Sequence, residues 1–439
     1  YLRTDRHYHR FQFRRAIVEA VLLENAKDAQ RVVKWLWRKF HGCIVPAPAV
    51  HMTAGQGGLG ILKFFKKNEI APRRDGGRAM RDEVDADQGH VVRWGLNLFD
   101  TSNLHASEKK RLSLDTVARR GDIALVKYLH EISVVRSAST SRQTKRARIS
   151  RESRLACTTD AMDQAASSSH LDVVKWLHAN RSEGCTTRAM DFAAGNGHLQ
   201  VVKWLSAHRS EGCTVKAMDV AASRGHLDVV KWLHRNQSEG CTTAAMDSAA
   251  TGGHLKVVAW LHINRTEGCT TKALDGAAEN GHLSVVKWLH KRTNARCTTR
   301  AMDCAASEGH LEVVKWLHQN RVGRCTTAAM DGAARNGNLD VVKWLHKNRS
   351  EGCTTAAMDE AKTLEIVQWL QANRVEGCIP KAMDQAASDG DFDRVLFLHS
   401  ESVQGCTGEA FFHTHKTPLF MGMRECVFDS SRQHSRLAH

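Results

Sequence analysis

The chain has 439 residues, enough for two or three globular domains or one extended array, and its 42% hydrophobic and 25% charged residues describe a folded protein. Five prolines and 31 glycines exclude a collagen-like or proline-rich filament, and no stretch approaches the roughly 18 to 20 apolar residues that span a bilayer. The net charge of +16 is lopsided: residues 1–156 carry 31 Lys/Arg against 16 Asp/Glu, whereas residues 157–439 carry 32 against 31, so an electrostatic partner is expected at the N-terminal third.

The first apolar run, Ala16 to Leu23, is short and broken by Glu19, which speaks against a secretory signal. Next comes Val32-Val33-Lys34-Trp35-Leu36, a helical apolar pattern that the chain goes on to repeat. Ile61-Leu62-Lys63-Phe64-Phe65 matches it, as do Ala79 to Leu96, with Gly89-His90-Val91-Val92-Arg93-Trp94, and Leu114 to His130. The aromatic positions 35, 64, 94 and 128 advance in steps of 29, 30 and 34, which makes residues 1–131 degenerate, basic copies of a repeat. Gly55 to Gly60 lacks the Gly-Lys-Ser/Thr ending of a phosphate loop and reads as a degraded turn.

Residues 132–156 are expected to form a basic, Ser/Arg-rich insertion or linker, because the step of 48 from Tyr128 to Trp176 exceeds one repeat by 20. Arg142, Lys145, Arg146, Arg148, Arg151 and Arg154 make it a cluster of the kind importins or polyanions bind. Lys145, Arg146 and Arg148 are its candidate nuclear-targeting residues, and a solvated linker is the plainer reading.

From Cys157 the repeat becomes regular. Cysteines at 157, 185, 213, 241, 269, 297, 325 and 353 keep a constant step of 28, Cys378 follows after a three-residue deletion, and Trp176 to Trp344 keep the same beat before Trp369. Nine units fill residues 157–405, and residues 406–439 read as a half-repeat with a loose tail. Within one unit, Ala189, Met190, Ala193 and Ala194 predict a first helix, with Thr187 as N-cap, Asp191 in the first turn and Gly197 as terminator. A second helix from about Leu199 is expected to bury Val201, Val202, Trp204 and Leu205. Such a pair is too small to bury its own apolar face and must stack on its copies.

The recurring Ala-Ala-x-x-Gly-His-Leu-x-Val-Val-Lys-x-Leu, as at Ala193 to Leu205 and Ala221 to Leu233, resembles the ankyrin repeat over residues 157–405. The resemblance implies an all-α solenoid of stacked helix-turn-helix units. Two departures matter: the period is 28 where the family's is about 33, and x-Ala-Met-Asp replaces the family's Thr-Pro-Leu-His. The projecting β-hairpin finger is therefore expected to shrink to a simple turn.

The ladders of Cys, Asp and His invite thoughts of a thiol enzyme or a metal site. Equivalent cysteines in stacked units lie about 8 to 10 Å apart, too far for a disulfide or a shared zinc, and no Cys-x-x-Cys occurs. The cysteines are read as small buried fillers, their free thiols favouring a reducing interior, cytoplasmic and/or nuclear. His170, His198, His226, His254, His282 and His310 are read as turn-stabilising groups, and the histidines after Trp-Leu, from His178 to His346, as solvated. The tryptophans are read as core in preference to a stacking ladder for single-stranded nucleic acid.

Fixed positions serve stacking, so positions that vary between copies are the candidates for recognition. The pair before the turn glycine supplies Asn196, Arg224, Glu279, Asn280, Glu308, Arg335 and Asn336. In the family this pair often contacts partner proteins, and the resemblance implies the same use here. The position before Ala-Met-Asp supplies Arg188, Lys216, Lys272 and Arg300. The expected function is a non-enzymatic protein-interaction scaffold that binds one or more proteins, of unknown identity, along the surface of the solenoid. Nucleic-acid or polyanion binding by residues 1–156 is the alternative. No catalytic residue, cofactor, metal, membrane or small-molecule substrate is implied.

Overall fold

The computed structural model describes residues 6–40, 58–68, 113–140 and 157–401, apart from 295 and 321, and seven positions between 45 and 56. The weak copy at 79–96, the basic cluster from Arg142 to Arg154 with its candidate nuclear-targeting residues, and the segment 406–439 lie outside the described residues. Two compact units emerge, one of residues 1–217 with 237–239, the other of residues 218–236 with 240–439. Each is an all-α stack of helical pairs, and no strand occurs among the described residues.

In the first unit, helices Arg6–Val21, Ala26–Lys39 and Leu59–Lys67 enclose a cluster of Phe13, Ile17, Val33, Leu36, Ile61 and Phe65. Asn25 caps the second of these, its side chain accepting from Lys27 N at 3.0 Å. Trp35 is 58% exposed, which corrects its reading as core. Leu114–Arg120 and Ile123–Thr140 form the next pair, and Leu114–Arg120 packs on Thr159–Ser167. Helix Ile123–Thr140 runs through the start of the stretch expected to be an insertion, so residues 132–140 are helical.

The regular repeat is shown by Thr187–Gly195 and Leu199–His208. Thr186, one residue earlier than expected, is the N-cap, and its hydroxyl accepts from Arg188 N at 3.2 Å. The first helix buries Met190 with Ala189, Ala193 and Ala194, and the small alanines let first helices of neighbouring repeats pack directly. Asn196 closes the helix and Gly197 follows at φ +80°, a conformation that costs a side-chain-bearing residue about 1 to 2 kcal/mol. The second helix buries Val201, Val202 and Leu205. Trp204 is only half-buried, and so is every tryptophan in this row from 176 to 369. At 3.6 residues per turn, Val, Val and Leu at i, i+1 and i+4 define the buried face, and the indole at i+3 lies roughly 100° from its centre.

All of those indoles but Trp232, which follows a copy with Ser206 in place of the histidine, rest instead on a ring of the neighbouring copy. His130, His178, His234, His262, His290, His318 and His346 each meet the next repeat's tryptophan edge-on, with ring centroids 5.1 to 5.3 Å apart. The histidines after Trp-Leu are therefore packing groups, and their reading as merely solvated is corrected. Several also accept from an arginine: Arg181 donates to His130 Nδ1 at 3.3 Å, and Arg209, Arg265 and Arg349 to His178, His234 and His318 at 3.5 Å. Each of these arginines is held by a glutamate two residues on, as in Arg209 with Glu211.

Candidate interaction surface

Most of the polar side chains that recur in every repeat bind the next repeat. The Asp of Ala-Met-Asp accepts two hydrogen bonds from a threonine one repeat ahead, one from its backbone N–H and one from its hydroxyl. Asp163 takes them from Thr186 at 2.9 and 2.6 Å and Asp247 from Thr270 at 2.7 and 2.6 Å. The same clasp joins Asp191 to Thr214, Asp219 to Thr242, Asp275 to Thr298, Asp303 to Thr326 and Asp331 to Thr354. Asp191 therefore locks neighbouring copies and does not sit in the first helical turn, as its spacing had suggested. Asp115 makes the clasp with Thr158 at a sequence separation of 43 instead of 23, so the excess of 20 lies within that repeat.

The Gly-His pair is a second internal device. His254, His282 and His310 lie against Gly225, Gly253 and Gly281 of the preceding copy, so close that a Cβ there would meet the ring at 2.6 to 2.7 Å. The glycine is thus required twice, for its left-handed backbone and for the ring above it. His198 Nε2 bonds the Ser167 carbonyl at 3.0 Å, and where asparagine replaces histidine, Asn338 donates to the Ser307 carbonyl at 2.7 Å. These histidines serve the turns, as the sequence predicts.

Among the described residues the thiols are free, and five of them are buried. Burial pushes Cys157, Cys185, Cys241 and Cys297 up to about 11 and Cys213 up to about 12. A nucleophilic cysteine needs the opposite shift. No cluster of three or more His, Cys, Asp or Glu suited to a metal ion occurs among the described residues.

Against this fixed framework the variable rows sort themselves. In the first unit Arg188 is exposed, 3.5 Å from Asp160, with its guanidinium 5.2 Å above the Phe192 ring. Phe192 is 39% exposed. Lys216 is exposed beside the exposed Val215. Asn196 is turned inward, donating to the Ser167 carbonyl at 2.7 Å. In the second unit Arg224, Lys272 and Glu308 are exposed. Arg300 pairs with Glu279 at 3.2 Å, and Arg335 and Lys381 converge on Glu360 at 2.5 and 2.9 Å. Asn280 donates to its own helix at Gly276 O, and Asn336 to the Ser307 carbonyl at 2.8 Å.

The asparagines of the variable pair are thus tied to the framework, while the charged residues face water. Phe192, under Arg188 in the first unit, and Glu360, between Arg335 and Lys381 in the second, were missed as site residues. The row after Asp looks mixed in sequence, and only the stacking reveals which of its members an arginine covers.

A family model for ankyrin repeats in many copies matches residues 162–205. One for ankyrin repeats in three copies matches residues 218–301 and 274–359. No curated protein matches the chain.

Proposed function

We propose that this chain, which belongs to the ankyrin-repeat family, is a non-enzymatic scaffold that binds protein partners through the exposed, variable side chains of its first helices. Ankyrin repeats generally mediate protein–protein interaction. The observation that carries the reading here is the separation of labour among side chains. Recurring polar groups are consumed by the clasps and turns, while Arg188 with Phe192, Lys216, Arg224, Lys272 and Arg300 are left at the surface. Aromatic and arginine side chains are the commonest energetic anchors of protein interfaces. Raised thiol values and near-identical copies speak against a catalytic constellation. Many free thiols suit a reducing compartment, which supports a place in the cytoplasm and/or nucleus.

The test is affinity capture with the full chain. Partners of this surface should be lost from R188A/F192A or from R224A, with unchanged helicity by circular dichroism. A partner set insensitive to both would overturn the reading. A second reading, polyanion binding by residues 1–156, rests on their net charge of +15. It requires an affinity for oligonucleotides that falls steeply with salt.

A further inference from the structure

The turns that join one repeat to the next follow a rule that Gln237-Ser-Glu-Gly240 breaks mildly, with glutamine for arginine but its glutamate and left-handed glycine kept, and that two consecutive turns break outright. Arg181-Ser-Glu-Gly184, Arg209-Ser-Glu-Gly212, Arg265-Thr-Glu-Gly268, Arg349-Ser-Glu-Gly352 and Arg374-Val-Glu-Gly377 each contain an internally paired Arg and Glu and end on a glycine of positive φ. At 293–296 the turn reads Thr-Asn-Ala-Arg, and at 321–324 it reads Arg-Val-Gly-Arg. Both lose the glutamate, and both place an arginine where those copies have the left-handed glycine.

Neither Arg296 nor Arg324 adopts positive φ, since Ser169 is the only non-glycine that does so among the described residues. The second turn is remade instead. Val322 N bonds Leu317 O at 3.2 Å, the Cys297 thiol donates to Val322 O at 2.9 Å, and Gly323 settles against Cys297 and Met302.

The result is an uncompensated positive surface. From Asn280 to Met302 the chain holds five Lys/Arg and no carboxylate, and of the five only Arg300 has an ion-pair partner among the described residues, in Glu279. Lys291, Arg292, Arg296 and Arg324 are all exposed, and none has an ion-pair partner among the described residues. One apolar group flanks them: Ile263, 77% exposed, holds in the preceding copy the position that Lys291 holds in its own.

We propose that Lys291, Arg292, Arg296 and Arg324 form a docking site for an acidic peptide segment of a partner protein. Carboxylates on an extended chain advance about 3.3 Å per residue, so acidic residues three apart match the roughly 10 Å between equivalent positions of stacked helices. Ile263 offers an anchor for an apolar residue within such a segment. A single-stranded nucleic acid would need exposed aromatic faces, and Trp288 and Trp316 are half-buried with His262 and His290 against them. The inference shares the premise that the chain binds proteins but uses residues separate from the first-helix rows. Loss of either surface therefore leaves the other readable.

The experiment measures fluorescence anisotropy of a labelled Glu-rich peptide carrying one leucine, and of a labelled single-stranded oligonucleotide, against the full chain. Removing two cations with R296Q/R324Q should weaken the peptide by about tenfold, as expected for charges that face each other directly. The restored turn A295E/R296G should weaken it similarly. The K175Q/K203Q control, which removes equal charge from exposed second-helix positions elsewhere, should change it far less. Peptide binding that is absent, or equally reduced by the control, overturns the proposal. So does an oligonucleotide that binds more tightly than the peptide and loses more on R296Q/R324Q.

Discussion

Two neighbouring regions of the second unit hold their repeats together with different parts. In the regular copies around Asp247, a carboxylate takes two bonds from Thr270, and Gly253 receives the ring of His282. In the shortened copy, the first helix is the single turn Ala356–Asp359 and the Gly-His pair is missing. Asp359 keeps only one bond to the next copy, from Ile379 N at 2.8 Å, because isoleucine has no hydroxyl to donate. Lys362 N reaches back to Ala334 O at 3.1 Å.

The Ala361 carbonyl of the shortened copy is met by Arg394, which stands where the regular repeats have the first core valine, such as Val257. Arg394 is 3% exposed and paired with Asp389 at 2.5 Å and Asp391 at 3.7 Å. A stack of copies can absorb a missing turn only by satisfying the backbone groups that the turn had covered. Here an ionic side chain takes the place of an apolar contact.

That contrast can be broken most sharply at Arg394. R394A strands the buried Ala361 carbonyl, takes the cation from Asp389, which keeps only the Gln385 amide, and empties a buried site, and should cost about 3 to 5 kcal/mol, seen as a lower urea midpoint. V257A in the regular region should cost about 1 to 3 kcal/mol by lost burial alone.

The clasps come next. D247A strands both Thr270 donors and should cost about 2 to 3 kcal/mol, whereas D359A strands one and should cost about half as much. Equal losses would show that the second bond contributes nothing. Among the glycines, G253A carries the left-handed backbone cost of about 1 to 2 kcal/mol and must also displace the His282 ring. G377A, with nothing within 4 Å of its added methyl, should show the backbone cost alone.

The smallest effect is acidic. Burial, with Arg224 and His254 nearby, holds His226 below the usual 6.5 despite Asp228, and burial with His254 and His310 nearby lowers His282 although its ring donates to the Thr251 backbone carbonyl. Below 6.5 the unfolded chain binds protons that the folded chain refuses, so this stability is full above 6.5 and is lost as pH falls through the depressed values. Denaturation midpoints should drop from pH 7 to 5.5. H282N, which copies Asn338, should flatten that slope while keeping the turn; an unchanged slope would remove the histidine from the explanation.

The helical pairs were legible because Val201, Val202 and Leu205 repeat at a spacing that only a helix makes one-sided. The missing finger was legible too, since so short a period leaves room for two helices and a turn. The clasps were not. Asp191 and Thr214 look like local helix signals, and nothing in a linear reading says that they meet. The indoles misled for a related reason: size and apolar neighbours point to the core, but the angle around the helix decides, and it sets Trp204 beside the core against His178. At the surface, charge was visible while pairing was not, so Arg300 and Glu279 read as two candidates and proved to be one ion pair.

The clasp has a genetic consequence. Its acceptor lies on one edge of a unit and its donor on the other, identically in almost every copy. Excising or duplicating one whole period in frame therefore rejoins an aspartate with a threonine, whichever seam is cut. Slippage between near-identical stretches of coding sequence would yield longer or shorter chains that still fold. Number of copies, rather than single-residue change, is then the dimension along which this protein can vary most freely, and Arg394 marks a seam where the exchange no longer closes.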